Sequence, residues 1–458
     1  MKSHYELLIV GAGPAGMAAA CEAAHYGVDI ALIDEAPAPG GQIYRNVKQS
    51  SSRLSKVLGG DYRYGKQLVE RMQVSDVDYF NNTALWYLDE NLQAGVLVDG
   101  SSHFIDSDRM ILATGAQERP MPIPGWQIPG VMTAGAGQIL LKSAAMVPDG
   151  KLVLAGSGPL LLLLANQYLQ AGVKIEAIID TSPKVALSDL VGKLFQALPA
   201  TEYLIKGISL KMAIKKAGVP VYKHASRLVA EGKETLESIS FQQANGMPMQ
   251  IEASTLMLHH GVIPDVRLAL AAGCDVEWND LQKCWGVETN EWGQSSVERV
   301  FVGGDSSRIV GARAAELQGQ LCGLKAAHLA GKVSDDEAAE KSQKLTKFIQ
   351  RHTSIRPLLD TLYSPASEHL LPADDTIVCR CEEVKSGAIR EAVRLGCTGP
   401  NQVKSFTRCG MGPCQGSQCG STVAALIADE RNTAMDEVGY YRVRPPFKPI
   451  TLGQLSDI

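Results

Sequence analysis

The sequence predicts an α/β fold: two doubly wound, Rossmann-like βαβ units followed by a small helical module rich in cysteine. Three observations predict it. An apolar run ends in Gly11-Ala12-Gly13-Pro14-Ala15-Gly16 and leads into an Ala-rich stretch and a second apolar run. The same pattern returns at residues 151–180 around Gly156-Ser157-Gly158. Six of the ten cysteines fall between Cys379 and Cys419. Short apolar runs alternating with helical stretches imply a parallel sheet.

The elements follow in order. Residues 5–10 read as a strand, 14–26 as a helix with Gly27 at its C-cap, and 28–33 as a second strand. Residues 109–113 form a strand closed by Thr114-Gly115, and 120–130 are a Pro/Gly-rich crossing. A second strand–helix–strand unit occupies 151–155, 159–170 and 173–179. A late strand at 300–302 runs into Gly303-Gly304-Asp305 and a helix from about Ala312. The expected division is a first domain from 1–120 and 297–335 and a second, NAD-like domain from 121–296. A charged helix and a Pro-containing linker (336–376) come next, then the cysteine module (377–430). An extended tail (431–458), with Pro445, Pro446 and Pro449, is expected to wrap a neighbour.

Composition excludes several classes. With 45% hydrophobic and 20% charged residues and a net charge of −5, the chain is globular, and no Lys/Arg block offers a nucleic acid a surface. The most apolar internal run, 160–165, is far below the ~20 residues of a membrane span, so no transmembrane segment is expected. The first apolar run leads straight into glycine and reads as a strand, not a secretory signal, so a cytoplasmic location is expected. Cysteines clustered in that setting favour a metal or cluster site over disulfides.

Around the first glycine motif, Gly11 makes a tight turn, Gly13 lets a pyrophosphate approach the backbone, and Gly16 lets the helix pack on the strand. Pro14 and Ala15 open that helix, whose N-terminal N–H groups suit phosphate. Asp34, 23 residues after Gly11 and followed by Glu35, suits a ribose hydroxyl. The second motif differs: Leu161 stands where a small residue allows close packing, so this unit is expected to keep the fold without NAD(P). No Cys-x-x-Cys or Cys-x4-Cys pair precedes residue 379, which disfavours dithiol relay, and Cys274, Cys284 and Cys322 read as buried apolar residues. His259-His260 ends a strand before Gly261 and reads as structural or nucleotide-side. In the cysteine module, Cys379-Arg380-Cys381 lies 33 positions before Cys414, with Cys419 five further on. Four thiolates suit structural zinc or an iron–sulfur cluster, although Cys-x-Cys is less usual for zinc.

Taken with Gly40-Gly41-Gln42, Ala113-Thr114-Gly115 and Gly304-Asp305, the first motif resembles the glutathione-reductase-like flavoproteins with two dinucleotide-binding domains. That resemblance implies FAD held by Gly11, Gly13, Pro14, Ala15, Gly16, Asp34, Glu35, Gly41, Gln42, Thr114, Gly115, Gly304 and Asp305. Asp305 would hold the ribityl chain, and the helix from Ala312 would point at the flavin ring. The stretches Cys379-Arg380-Cys381-Glu382-Glu383 and Thr407 to Gly416 resemble the bacterioferritin-associated-ferredoxin-like module. This implies a 2Fe–2S cluster on Cys379, Cys381, Cys414 and Cys419. Cys409 is a neighbour, standing where the pattern usually has a small residue.

The combination, with Arg444-Pro445-Pro446-Phe447-Lys448-Pro449-Ile450, resembles over the whole chain the A (alpha) subunits of opine oxidases, hydrogen cyanide synthase, and hydroxyproline and proline dehydrogenases, and part of the sarcosine oxidase alpha subunit. The resemblance implies an electron-transferring subunit whose partner, a glycine-oxidase-like beta subunit with its own FAD, oxidises the CH–NH group of an amine. It also implies a downstream acceptor and, in some members, an FMN between subunits. The chain's own residues offer no substrate-binding or acid–base set, so no catalytic residue is assigned. The competing readings are a self-sufficient NAD(P)H reductase and a cofactor-bearing scaffold.

Overall fold

The computed structural model describes residues 1–456. Strand His4–Val10 is central to a parallel sheet in the order Asp78–Phe80, Ile30–Ile33, His4–Val10, Ser101–Leu112, Val300–Val302. Every residue of Ile30–Ile33 and Val300–Val302 is buried, as strands covered on both faces require. The helices Pro14–His25 and Ala312–Leu329 lie against each other on one face. They approach closely because their contact is made of Ala15, Ala19, Gly319 and Gly323; a Cβ on Gly319 would strike the Ala15 backbone.

Ser101–Leu112 is longer than the strand read at 109–113. Its first half alternates buried with exposed positions and pairs antiparallel with Ala94–Val98, which pairs in turn with Ala84–Leu88. Only its fully buried end carries the continuous apolar signal.

A second parallel sheet runs Val221–Lys223, Ile175–Asp180, Leu152–Ser157, Thr255–His260, Val131–Thr133. An antiparallel three-strand layer, Ser226–Glu231, Ser238–Gln242 and Pro248–Glu252, shares its core through Leu228, Ile239 and Phe241. Val266, Ala269, Trp285 and Val287 pack instead into the core of the first sheet.

One expectation is corrected. The segment read as linker contains the helices Arg356–Leu362 and Ser367–Leu370. Pro357 sits in the first turn of the former, where its missing N–H costs no hydrogen bond, so it starts a helix and does not break one. Part of the tail contacts the body of its own chain. Phe447 is buried in the first sheet's core and its N–H donates to the Trp86 carbonyl at 2.9 Å, while Lys448 pairs with Glu35 at 3.0 Å. Among the described residues, no helix is long and apolar enough to cross a membrane.

Candidate functional site

The carboxyl ends of the first sheet's strands gather the predicted nucleotide residues into one crevice. The Gly11 N–H donates to Ile33 O, and the Ala113 N–H to Val10 O, so the strand ends stay in register up to the turn. Gly16 is obligatory: a Cβ there would run into the Gly11 carbonyl. Gly13 is different, since a Cβ would meet only Gly41 Cα at 3.8 Å. The helix that starts at Pro14 has no side-chain cap at its N-terminus, which leaves its first N–H groups for an anion. Asp34 is fixed by the Ala12 and Ala36 N–H groups at 2.5 and 2.7 Å. Burial pushes its carboxyl up, and those two N–H donors oppose the shift.

Opposite this loop, the Gly115 N–H donates to Ser306 Oγ at 2.7 Å. Asp305 Oδ1 accepts from the Val310 and Gly311 N–H groups at 2.7 and 2.9 Å, which shapes the entry to the Ala312–Leu329 helix. The Gln42 carbonyl accepts from Lys142 Nζ at 2.9 Å, and burial pulls the Lys142 amine down to about 7. Lys142 belongs to the helix Ala134–Ala144 and so ties the second unit to the crevice loop; no motif pointed to it. Glu35 stands apart from these residues, paired with Lys448 of the tail. An open position at Gly13, an uncapped helix N-terminus and an anchored acid fit a dinucleotide such as FAD.

The second glycine loop has a different lining. His259 lies against Gly158 and its Nδ1 is 2.6 Å from Glu118 Oε1, while Glu118 Oε2 accepts from the Gly135 N–H at 2.8 Å. Leu161 is buried in the shared core. The buried hydroxyls of Ser157, Thr181 and Ser182 have no hydrogen-bond partner. His260 Nε2 accepts from the Ala366 N–H at 3.0 Å, and its ring meets that of His369.

Burial holds His260 well below its usual range and brings His369 down to about 4. Both are neutral in the fold and charge on unfolding, so the unfolded chain binds more protons between about pH 4 and 6.5 and stability falls as pH drops through that window. At pH 5 His369 alone costs about 2 kcal/mol. The melting temperature is expected to fall between pH 7.5 and 5, and less steeply in His369→Asn; equal slopes would refute the assignment.

In the cysteine module, a hairpin of Ile377–Cys379 and Val384–Lys385 packs with the helices Ser386–Arg394, Pro400–Thr407 and Gly420–Arg431. The sulfurs of Cys379, Cys409 and Cys419 all lie within 4.8 Å of one another and are buried. Cys381 lies outside that group, its thiol within hydrogen-bonding reach of Cys414. Of the four thiols read from the sequence, the fold brings Cys379 and Cys419 into the buried group and leaves Cys381 and Cys414 outside it. Cys409 is brought into the buried group, with Sγ 3.9 Å from Cys419 Sγ. Hydrogen bonds from the Cys409 and Cys419 thiols drive the Cys379 thiol down to about 2, and the Gly410 and Glu382 N–H groups also point at it. Sharing with Cys379 pushes the other two up. The three buried thiols thus form one centre that favours negative sulfur and could hold a metal ion. Tyr441, whose hydroxyl donates to the Cys409 carbonyl at 2.9 Å, covers the loop beside Gly410 and Gly416. Cys397, Cys274, Cys284 and Cys322 are buried elsewhere.

The module docks beside the crevice. Gln117 Nε2 donates to the Ser417 carbonyl at 2.8 Å, and Trp126 Nε1 to the Ile377 carbonyl at 2.7 Å. Arg267 pairs with Asp265 and reaches the Cys414 carbonyl at 3.3 Å, while the Asp265 carbonyl accepts from the Thr114 hydroxyl at 3.3 Å. Thr114, Asp265, Arg267 and Cys414 thus link the crevice to the sulfur centre. Sequence reasoning missed Asp265 and Arg267, which carry no motif.

Residues 5–319 match the pyridine nucleotide-disulphide oxidoreductase family, and 374–457 match the sarcosine oxidase A3 domain. The chain is 43% identical to an opine oxidase A subunit of Rhizobium meliloti, over 100% of this chain and 88% of the relative. It is 41% identical to the opine oxidase A subunit of Agrobacterium tumefaciens (strain Ach5), over 100% and 92%. Hydrogen cyanide synthase subunit HcnB of Pseudomonas protegens is 29% identical over 97% and 96%. Among solved structures, L-proline dehydrogenase from P. horikoshii superposes with a TM-score of 0.72 at 19% identity, covering 99% of this chain and 79% of that one.

Proposed function

Because the chain belongs to the pyridine nucleotide-disulphide oxidoreductase family and, within it, to the group of opine oxidase A subunits, a flavin-dependent oxidoreductase group, we propose that it is the electron-transferring subunit of an amine dehydrogenase or oxidase, with FAD in the crevice and a 2Fe–2S cluster on Cys379, Cys381, Cys414 and Cys419. The observation that carries this reading is the direct link from Thr114 through Asp265 and Arg267 to Cys414. Bound FAD supplies a carrier that takes two electrons and releases them singly, and a 2Fe–2S cluster accepts one at a time. The chain's residues would hold and orient these groups: Gly13 and the helix N-terminus the pyrophosphate, Asp34 the ribose, Asp305 the ribityl chain, and Cys379, Cys381, Cys414 and Cys419 the cluster.

Oxidation of the CH–NH group of an opine, proline, hydroxyproline or glycine-type amine belongs to a glycine-oxidase-like beta subunit, with an acceptor downstream and, as in some members of the group, room for an FMN between subunits. The relatives' naming as subunits of hydrogen cyanide synthase and opine oxidase supports this. The isolated chain is expected not to reduce a dye with any of these amines, and to do so when the second subunit is added. Turnover by the chain alone would place a substrate site within it.

A second reading, a self-sufficient NAD(P)H reductase, is favoured by the unpartnered hydroxyls of Ser157, Thr181 and Ser182 at the second glycine loop. Leu161 and the His259 ring against Gly158 argue against it. On anaerobic mixing with NADH or NADPH, the flavin is expected to stay oxidised for minutes; rapid bleaching would establish the reductase.

A further inference from the structure

Two cations hold the crevice loop at Gln42, and the glycine motifs account for neither. Gly41 lies against Gly13: a Cβ on Gly41 would come within 2.8 Å of Gly13 Cα. Gln42 therefore borders the loop that suits a diphosphate. Lys142 reaches it from the second unit, with Nζ 2.9 Å from the Gln42 carbonyl. Arg45 reaches it from the same loop, with Nη2 donating to Gln42 Oε1 at 3.1 Å. Lys142 is 3% exposed. Its second hydrogen bond, at 2.9 Å, goes to Gln138 Oε1, and the Gln138 and Gln167 amides carry the chain on to the Leu58 carbonyl.

Every acceptor in that chain is a neutral amide. Among the described residues, neither Lys142 nor Arg45 forms an ion pair, and the Arg45 Nε is buried without a partner. An ammonium has three donors, and Lys142 uses two of them on the protein. Burial and the Arg45 charge beside it pull the Lys142 amine down to about 7, so the protein alone does not favour two positive charges here. The crevice acid Asp34 is already held by two backbone N–H groups. Buried charge is kept where an opposite charge meets it, and a dinucleotide's diphosphate carries two negative charges. We infer that Lys142 and Arg45 are diphosphate-binding residues of the flavin site, one on either side of Gln42, with Lys142 supplied across the domain boundary by the helix Ala134–Ala144. This rests on the reading of the crevice as a flavin site. The helix N-terminus at Pro14 offers N–H groups and a partial charge, whereas the two cations offer full charges, whose hydrogen bonds to phosphate are stronger. The second unit thereby helps to hold a cofactor that its own glycine loop does not bind.

The test is titration of the full chain, stripped of flavin, with FAD and with ADP-ribose, which carries the diphosphate without the flavin ring. FAD binding is read by fluorescence quenching and ADP-ribose binding by competition, and far-UV CD reports that each variant is folded. Lys142→Met, Lys142→Gln and Arg45→Gln are each expected to weaken both ligands at least ~10-fold. The glutamine variants keep an N–H donor for Gln42 and lose only the charge. Wild-type affinity in the glutamine variants beside a loss in Lys142→Met would make Lys142 a support for the loop and overturn the inference. So would weakened FAD with unchanged ADP-ribose, since the charges would then act on the flavin ring. Absence of FAD binding by the wild type is the separate result that strikes at the flavin assignment itself, and the inference falls with it.

Discussion

Gly13→Val is expected to yield a folded chain without flavin. A Cβ at Gly13 finds only Gly41 Cα, at 3.8 Å, so the apo chain has room for the first atom of the new side chain. The valine methyls then occupy the space above the loop, where a pyrophosphate must come within hydrogen-bonding distance of the N–H groups after Gly13. Losing one or two charge-assisted hydrogen bonds at roughly 1.5–3 kcal/mol each weakens binding by about 10- to 10⁴-fold. Visible flavin absorbance should vanish on purification while far-UV CD is kept. Gly16→Val provides the contrast: its Cβ collides with the Gly11 carbonyl, so folding itself should fail. Stoichiometric flavin in the Gly13 variant would sink the assignment of the crevice.

The second large effect concerns the sulfur centre. Cys379→Ser, Cys381→Ser, Cys414→Ser and Cys419→Ser are each expected to abolish a 2Fe–2S signal, because each leaves one iron with a single thiolate. Anaerobic purification should give two irons and two sulfides per chain and an EPR signal near g 2 after dithionite. Zinc on the same thiols would give neither colour nor signal, so one zinc and no iron would refute the cluster. Cys409→Ser is expected to keep both irons, since Cys409 stands where the resembling pattern usually has a small residue and so is read as a neighbour of the four ligands. Loss of the signal in Cys409→Ser with retention in Cys419→Ser would exchange their roles, which the 3.9 Å between their sulfurs makes geometrically direct.

Local sequence determined much of this protein. Glycine spacing and the change from apolar run to Ala-rich helix placed both βαβ units, because those signals depend only on neighbours along the chain. The same holds for Val300–Val302 and for the helix beginning at Ala312. Tertiary structure decided the rest. The first half of Ser101–Leu112 buries Ser102, Ile105 and Ser107, so burial alternates without an apolar alternation in the sequence, and the strand shows only once Ala94–Val98 pairs with it. Pro357 initiates a helix only because Leu358 has a core to enter. The extended tail has no local preference for a partner, and only the fold shows Phe447 buried in the first sheet's core with its N–H on the Trp86 carbonyl. Thiol grouping follows the same logic. Spacing suggests that Cys379, Cys381, Cys414 and Cys419 can meet, but that Cys409 joins Cys379 and Cys419 depends on how a hairpin meets a loop some 30 residues away. The link through Asp265 and Arg267 is invisible along the chain because its value lies wholly in what the fold places on either side of it.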